Sequence, residues 1–145
     1  MSKNRRKADG TEFEREFKET VEPRYYIKRL PTLNTGFAGL RQPADFILVG
    51  RCFNYIECKE TTGDRFAIST MEQFDKMCEF LEDKKRYPEV EMNYYIIVHY
   101  LVKGVYKVVL AEDAKELADK HKTLKFDADV GLTFSRLEDL GGIAF

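Results

Sequence analysis

Ala44-Asp45-Phe46-Ile47-Leu48-Val49-Gly50-Arg51-Cys52-Phe53-Asn54-Tyr55-Ile56-Glu57-Cys58-Lys59 decides the reading of this chain. Two apolar runs flank Gly50-Arg51. Ala44 to Val49 is almost wholly apolar and carries Asp45 at its start. Cys52 to Lys59 alternates, with Phe53, Tyr55 and Glu57 on one face and Cys52, Asn54, Ile56 and Cys58 on the other. A turn between two such runs predicts an antiparallel hairpin. Glu57 and Lys59 are two residues apart on a strand, so their side chains leave the same face. Two registers are open for Asp45. A two-residue turn at Gly50-Arg51 pairs Val49 with Cys52 and sets Asp45 opposite Ile56. A bulge or a slightly longer turn sets it opposite Glu57, and cross-strand partners share a face.

Outward from the hairpin, the pattern alternates between helix and strand. Phe13, Phe17 and Val21 recur at four-residue spacing between charges, which predicts a helix capped by Asp9 or Thr11 and ended by Pro23. Tyr25 to Leu30 reads as a strand stopped by Pro31, and Thr32 to Pro43 as a loop. Thr70 is expected to open a helix with a capping box to Gln73 and an apolar stripe of Phe74, Met77, Cys78 and Leu81. That helix fades in Lys84-Lys85-Arg86, whose charges suit a helix C-terminus. Asn93 to Val102 and Val105 to Leu110 predict a second hairpin around Lys103-Gly104. Ala111 to Lys120 reads as a polar helix, and Ser135 to Leu140 as a short one. The order is helix, three strands, helix, two strands, helix. It predicts an α/β fold with a mixed central β-sheet flanked by helices.

Composition narrows the class. The 145 residues carry 24 Lys and Arg against 25 Asp and Glu, so a basic coat for nucleic acid is not indicated. Local basic clusters exist at Lys3 to Lys7, at Arg24 with Lys28 and Arg29, and at Lys84 to Arg86. Eleven Phe and eight Tyr supply one core. The expectation is a flexible basic arm over residues 1–9 and one domain over residues 10–145. No stretch is apolar for long enough to span a membrane, and the basic start lacks the apolar run of a signal sequence. A soluble, cytoplasmic protein is expected. The three cysteines, Cys52, Cys58 and Cys78, form no CxxC pair and indicate neither a disulfide framework nor zinc. His99 and His121 lack ligand spacing and read as a strand residue and a surface residue.

Asp45, Glu57 and Lys59 carry the chemistry. Charges on largely apolar strands are costly unless paired or bound to metal. Oxygen-only ligands suit Mg²⁺, with Mn²⁺ as a substitute. A metal held by Asp45 and Glu57 would polarise a phosphodiester, and Lys59 would orient water or stabilise the charge that builds on phosphorus. Taken alone, Glu-x-Lys is common on exposed strands; the Asp, the hairpin and the Glu-x-Lys together point to a site. Arg24, Lys28, Arg29 and Arg41 are candidate DNA-phosphate contacts, and Tyr25 and Tyr26 candidate stacking surfaces for unpaired bases.

Pro43-Ala44-Asp45, the hydrophobic strand and Ile56-Glu57-Cys58-Lys59 resemble the PD-(D/E)XK nuclease motif. Gly10-Thr11-Glu12-Phe13-Glu14 resembles the first-helix motif of that superfamily. Lys28-Arg29-Leu30-Pro31-Thr32 is similar to a segment of RecU-type Holliday-junction resolvases, as is Tyr55 to Thr61 followed by Phe66-Ala67-Ile68 and the helix bearing Gln73. The match runs from about Gly10 to about Met77. The resemblance implies a restriction-endonuclease-like core and a Mg²⁺-dependent endodeoxyribonuclease. Its expected action is the symmetric cutting of four-way DNA junctions in recombination and repair, commonly as a homodimer. It also implies roles: Asp45 and Glu57 as metal ligands, Lys59 as catalytic lysine, Glu14 as a further acid with Glu12 as fallback, and Gln73 as a positioning group. The alternatives are a related nuclease that cuts duplexes or ends, and an inert DNA-binding module of the same fold.

Overall fold

The structure is a computed structural model that describes residues 11–31 and 42–145. The basic arm, the body of the Thr32 to Pro43 loop and Arg41 lie outside the described residues.

Helix α1 (Glu12–Val21) begins where the sequence places it, with Thr11 as its cap. Thr11 Oγ1 accepts the Glu14 N–H, and Glu14 Oε2 accepts the Thr11 N–H, so two otherwise orphaned donors are satisfied. Phe13, Phe17 and Val21 form its buried stripe, each worth about 1.5–3 kcal/mol when removed from water. Strands β1 (Tyr26–Arg29), β2 (Phe46–Val49) and β3 (Phe53–Thr61) follow. Strand β4 (Arg65–Phe66) and a 3₁₀ turn (Ile68–Thr70) lead to α2 (Phe74–Arg86). Then come β5 (Met92–Tyr100), β6 (Val105–Leu110), α3 (Ala111–Asp119), β7 (Leu124–Lys125), β8 (Leu132–Phe134) and a 3₁₀ segment (Leu137–Gly142).

Six strands form a mixed sheet in the order β1-β2-β3-β5-β6-β8. β3 and β5 run parallel at its centre, and the other neighbours are antiparallel. The central strands are covered on both faces. Ile56, Glu57 and Cys58 are therefore all buried, as are Ile96, Ile97 and Val98. One face, with Tyr94, Ile96, Val98 and Val109, packs against α2 and α3 through Met77, Phe80, Leu81 and Ala114. The other, with Phe46, Leu48, Ile56 and Ile97, packs against α1 and the residues that end at Phe145.

Three local expectations need correction. The capping box at Thr70 does not form: Thr70 Oγ1 donates to the Ala67 carbonyl within the 3₁₀ turn, and α2 starts later, at Phe74, with no side-chain cap. Ser135 to Leu140 is no α-helix; a 3₁₀ segment shifted toward Gly142 stands there, because Leu140 and Ile143 must reach the core. Strands β4, β7 and β8 were not expected. They are two or three residues long and too short for a period-2 signal.

The turn between β2 and β3 settles the open register. Val49 pairs with Phe53, so three residues, Gly50, Arg51 and Cys52, make the connection. Fully buried Asn54 holds it: its Nδ2 donates to the carbonyls of Leu48, Cys52 and Phe145. Gly50 has no room for a side chain, since a Cβ there would meet the Phe145 backbone at 2.7 Å.

Candidate active site

The β2–β3 ladder ends where Phe46 pairs with Ile56. Asp45 lies just outside it and brackets Glu57, bonding to Ile56 through its backbone and to Cys58 through its side chain. The turn is therefore the longer one, and Asp45 stands next to Glu57 rather than in a regular pair with Ile56. Asp45 closes the ladder with both backbone and side chain. Its N–H donates to the Ile56 carbonyl at 3.0 Å, and its Oδ2 accepts the Cys58 N–H at 2.8 Å. Its carbonyl accepts the Leu30 N–H from the β1 side. Upstream, the buried Tyr94 hydroxyl donates to the Pro43 carbonyl and pins the segment that delivers Asp45.

Asp45 is 7% exposed and Glu57 is fully buried. Lys59 Nζ stands 2.8 Å from Glu57 Oε2 as an ion pair. Burial lifts the Asp45 carboxyl well above its ordinary value, and the charges of Glu57 and Glu14 add to it. Burial lifts Glu57 too, and Lys59 offsets this only in part. For Lys59, burial disfavours the ammonium, but the neighbouring Glu57, Asp45 and Glu14 charges outweigh it and the net shift is upward. Lys59 is thus a fixed cation through the physiological range, not a proton acceptor.

Glu14 reaches this corner from α1. Its Oε2 closes the capping box, and its Oε1 is held by Arg29 Nη1 at 2.7 Å. Both oxygens are engaged, so its contribution to the site is negative potential. Glu12 is exposed at the first turn of α1. Gln73 sits at the start of α2, 7% exposed, with Oε1 lacking a hydrogen-bond partner; no hydrogen bond joins it to Asp45, Glu57 or Lys59. Among the expected phosphate contacts, Arg29 is committed to Glu14 and lies over the Phe46 ring at 4.7 Å. Arg24 is committed to the Gly141 carbonyl. Lys28 is exposed on the opposite face of β1. His99 lies in β5, stacked on Tyr106 at 4.2 Å, and His121 is exposed, as the sequence indicates. Sequence reasoning passed over Tyr94 and Asn54. Neither carries a motif, and only their hydrogen bonds mark them.

Among the described residues, no three His, Cys, Asp or Glu side chains form a ready-made metal cage. Two adjacent carboxylates fit a different mode, in which Mg²⁺ takes one or two carboxylates and completes its shell with water and substrate phosphate. Two buried acids that share one lysine ammonium, each held by burial above its ordinary pKa, fit such a site.

No protein-family profile matches the chain, and no curated protein is significantly similar to it. No helix among the described residues is long and apolar enough to cross a membrane.

Proposed function

We propose that the chain is a divalent-metal-dependent DNA endonuclease whose centre is Asp45, Glu57 and Lys59, with a restriction-endonuclease-like core. One observation carries the reading: two carboxylates, Asp45 and Glu57, buried next to one another at the end of the β2–β3 ladder, with a single lysine ammonium beside them. A purely structural ion pair does not account for the second buried acid, because unpaired buried charge is destabilising. The central sheet takes three strands after the first helix and β5 after the second, with parallel β3 and β5 at its centre, an order that supports such a core.

Asp45 and Glu57 would hold the ion, Mg²⁺ or Mn²⁺. The chemistry such an ion supplies is neutralisation of phosphate charge and acidification of water. The chain's own groups do the rest. The Cys58 N–H fixes one Asp45 oxygen and would leave the other for the ion. Glu57 is held rigid by burial and by Lys59. The Lys59 side chain is 26% exposed, and its ammonium beside Glu57 would serve as a preformed positive charge for the oxygens of a phosphodiester under attack. Arg29 and Thr11 hold Glu14, which keeps α1 against the strand ends.

Four-way junctions are the substrate that the sequence resemblance favours, and a homodimer the assembly. The test is cleavage of labelled four-way junctions and matched linear duplexes in Mg²⁺ and in chelator, with Asp45→Asn and Lys59→Ala alongside. Symmetric metal-dependent nicks on the junction, lost in both variants, are expected. Equal cutting of linear DNA would leave a nuclease without junction preference. No cutting in any metal would sink the catalytic reading in favour of an inert DNA-binding module.

A further inference from the structure

One corner of the sheet is bare. Cross-strand partners line up in rows on the face that carries the carboxylates. Asp45 and Glu57 stand at the end of the β2–β3 ladder. Lys28, Ile47 and Tyr55 form the next row, and Tyr26, Val49 and Phe53 the one beyond it. Successive rows lie two residues apart, about 7 Å along the strands. Tyr26, Ile47, Val49 and Phe53 belong to neither core. Tyr26 is 60% exposed and Val49 is 41% exposed. Two large apolar side chains side by side on a water-facing strand pair are unfavourable unless something covers them.

On the β1–β2 side of this patch the exposed charges are basic, while Asp83 and Glu91 lie on its β3–β5 side. Lys28 is exposed, its Nζ 5.8 Å from the centre of the Tyr26 ring, and Arg51 is exposed in the adjoining turn. The rows of β1 and β2 beyond Asp45 carry no acid. Arg24 and Arg29, also basic and close in sequence, are tied to internal partners. Lys28 is therefore the cation of this group that is free to meet a ligand. A polyanion suits such a patch.

We infer that this face carries an unpaired stretch of the DNA strand leading away from the scissile phosphate, with a phosphate at Lys28 and a base stacked on Tyr26. This rests on the nuclease reading and gives its substrate a path and a strand state. Each row spans about two nucleotides at the 3.4 Å rise of a stacked strand. The strand thus meets Lys28 one row, and Tyr26 two rows, from the carboxylates. Stacking on an aromatic face requires a base that is not paired within a duplex, and it is indifferent to base identity. The geometry therefore favours branched or single-stranded DNA over blunt duplex without specifying sequence.

The test is fluorescence anisotropy with labelled four-way junction, single strand and blunt duplex, in Mg²⁺. Asp45→Asn serves as the parent so that the DNA stays intact, and Tyr26→Ala, Tyr26→Phe and Lys28→Gln are added to it. Tyr26→Ala is expected to weaken junction and single-strand binding about tenfold to hundredfold, with the duplex nearly unchanged and Tyr26→Phe close to the parent. Lys28→Gln is expected to flatten the slope of log affinity against log salt on single strands by about 0.7. If both substitutions leave junction binding at the parent's level, the inference is wrong while the nuclease reading stands. If light scattering shows a dimer that Tyr26→Ala splits, with DNA affinity unchanged, the face is a contact between copies and the inference is overturned. If the wild-type chain neither binds nor cuts any DNA, the nuclease reading fails and takes this inference with it.

Discussion

Asp45→Asn should make the metal-free protein more stable. Asp45 and Glu57 are buried neighbours, and the Glu57 charge acts on Asp45; close cross-strand side chains stand about 5 Å apart. At an effective dielectric constant of about 20, two like charges at that distance repel by about 3 kcal/mol. The amide removes that repulsion. It weakens one contact, because the Cys58 N–H then donates to a neutral oxygen, a loss of about 1 kcal/mol. The net gain is roughly 2 kcal/mol, or a melting temperature higher by about 7 °C in a domain of this size. The pH dependence follows from the same groups. Burial, reinforced for Asp45 by the charges of Glu57 and Glu14, raises both carboxyls in the fold. The folded state then binds more protons than the unfolded chain between the ordinary carboxylate value, about 4, and the raised one. Stability is full below that window and declines as pH rises through it. The wild-type chain in chelator should lose stability above about pH 4, and Asp45→Asn should lose less. Added Mg²⁺ at a hundred times its Kd should return about 2.7 kcal/mol to the wild type and much less to the variant. Thermal melting in chelator and in Mg²⁺, at several pH values, reads all of this. A variant that melts at or below the wild type in chelator, or an equal Mg²⁺ gain in both, would refute the reasoning.

Tyr94→Phe leaves the Pro43 carbonyl without its buried donor, a cost of about 1–3 kcal/mol; denaturant titration should show it, and metal affinity should fall because the Asp45 segment loosens. Asn54→Ala removes a side chain that serves three carbonyls around the Gly50–Cys52 turn, and a destabilisation of at least about 2 kcal/mol is expected in the same assay. His121 holds a left-handed backbone, φ 57°, where α3 ends, so His121→Gly should stabilise by roughly 1 kcal/mol. A melting temperature unchanged or lowered in that variant would show that the His121 side chain contributes more than its strain.

The elements with a full period were legible from sequence. Phe13, Phe17 and Val21 announce α1 because a helix must bury one stripe, and the apolar run before Gly50 announces β2. Glu57 and Lys59 share a face in any strand, whatever surrounds it. The candidate site was legible to that extent, as a set of residues. The sequence left the position of Asp45 open, since a turn of two or three residues fits the same letters. Contacts remote along the chain closed it: Asn54 and the backbone of Phe145 fix the Gly50–Cys52 turn, and the hydrogen bonds of Asp45 to Ile56 and Cys58 set it beside Glu57. Tertiary structure also separated the basic residues. Arg24 and Arg29 found partners in Gly141 and Glu14, while Lys28 stayed exposed beside Tyr26. Local period is a property of adjacent residues, and sequence carries it. Register, burial of charge and the choice of ion partner depend on which distant segments meet, and only the packed sheet decides that.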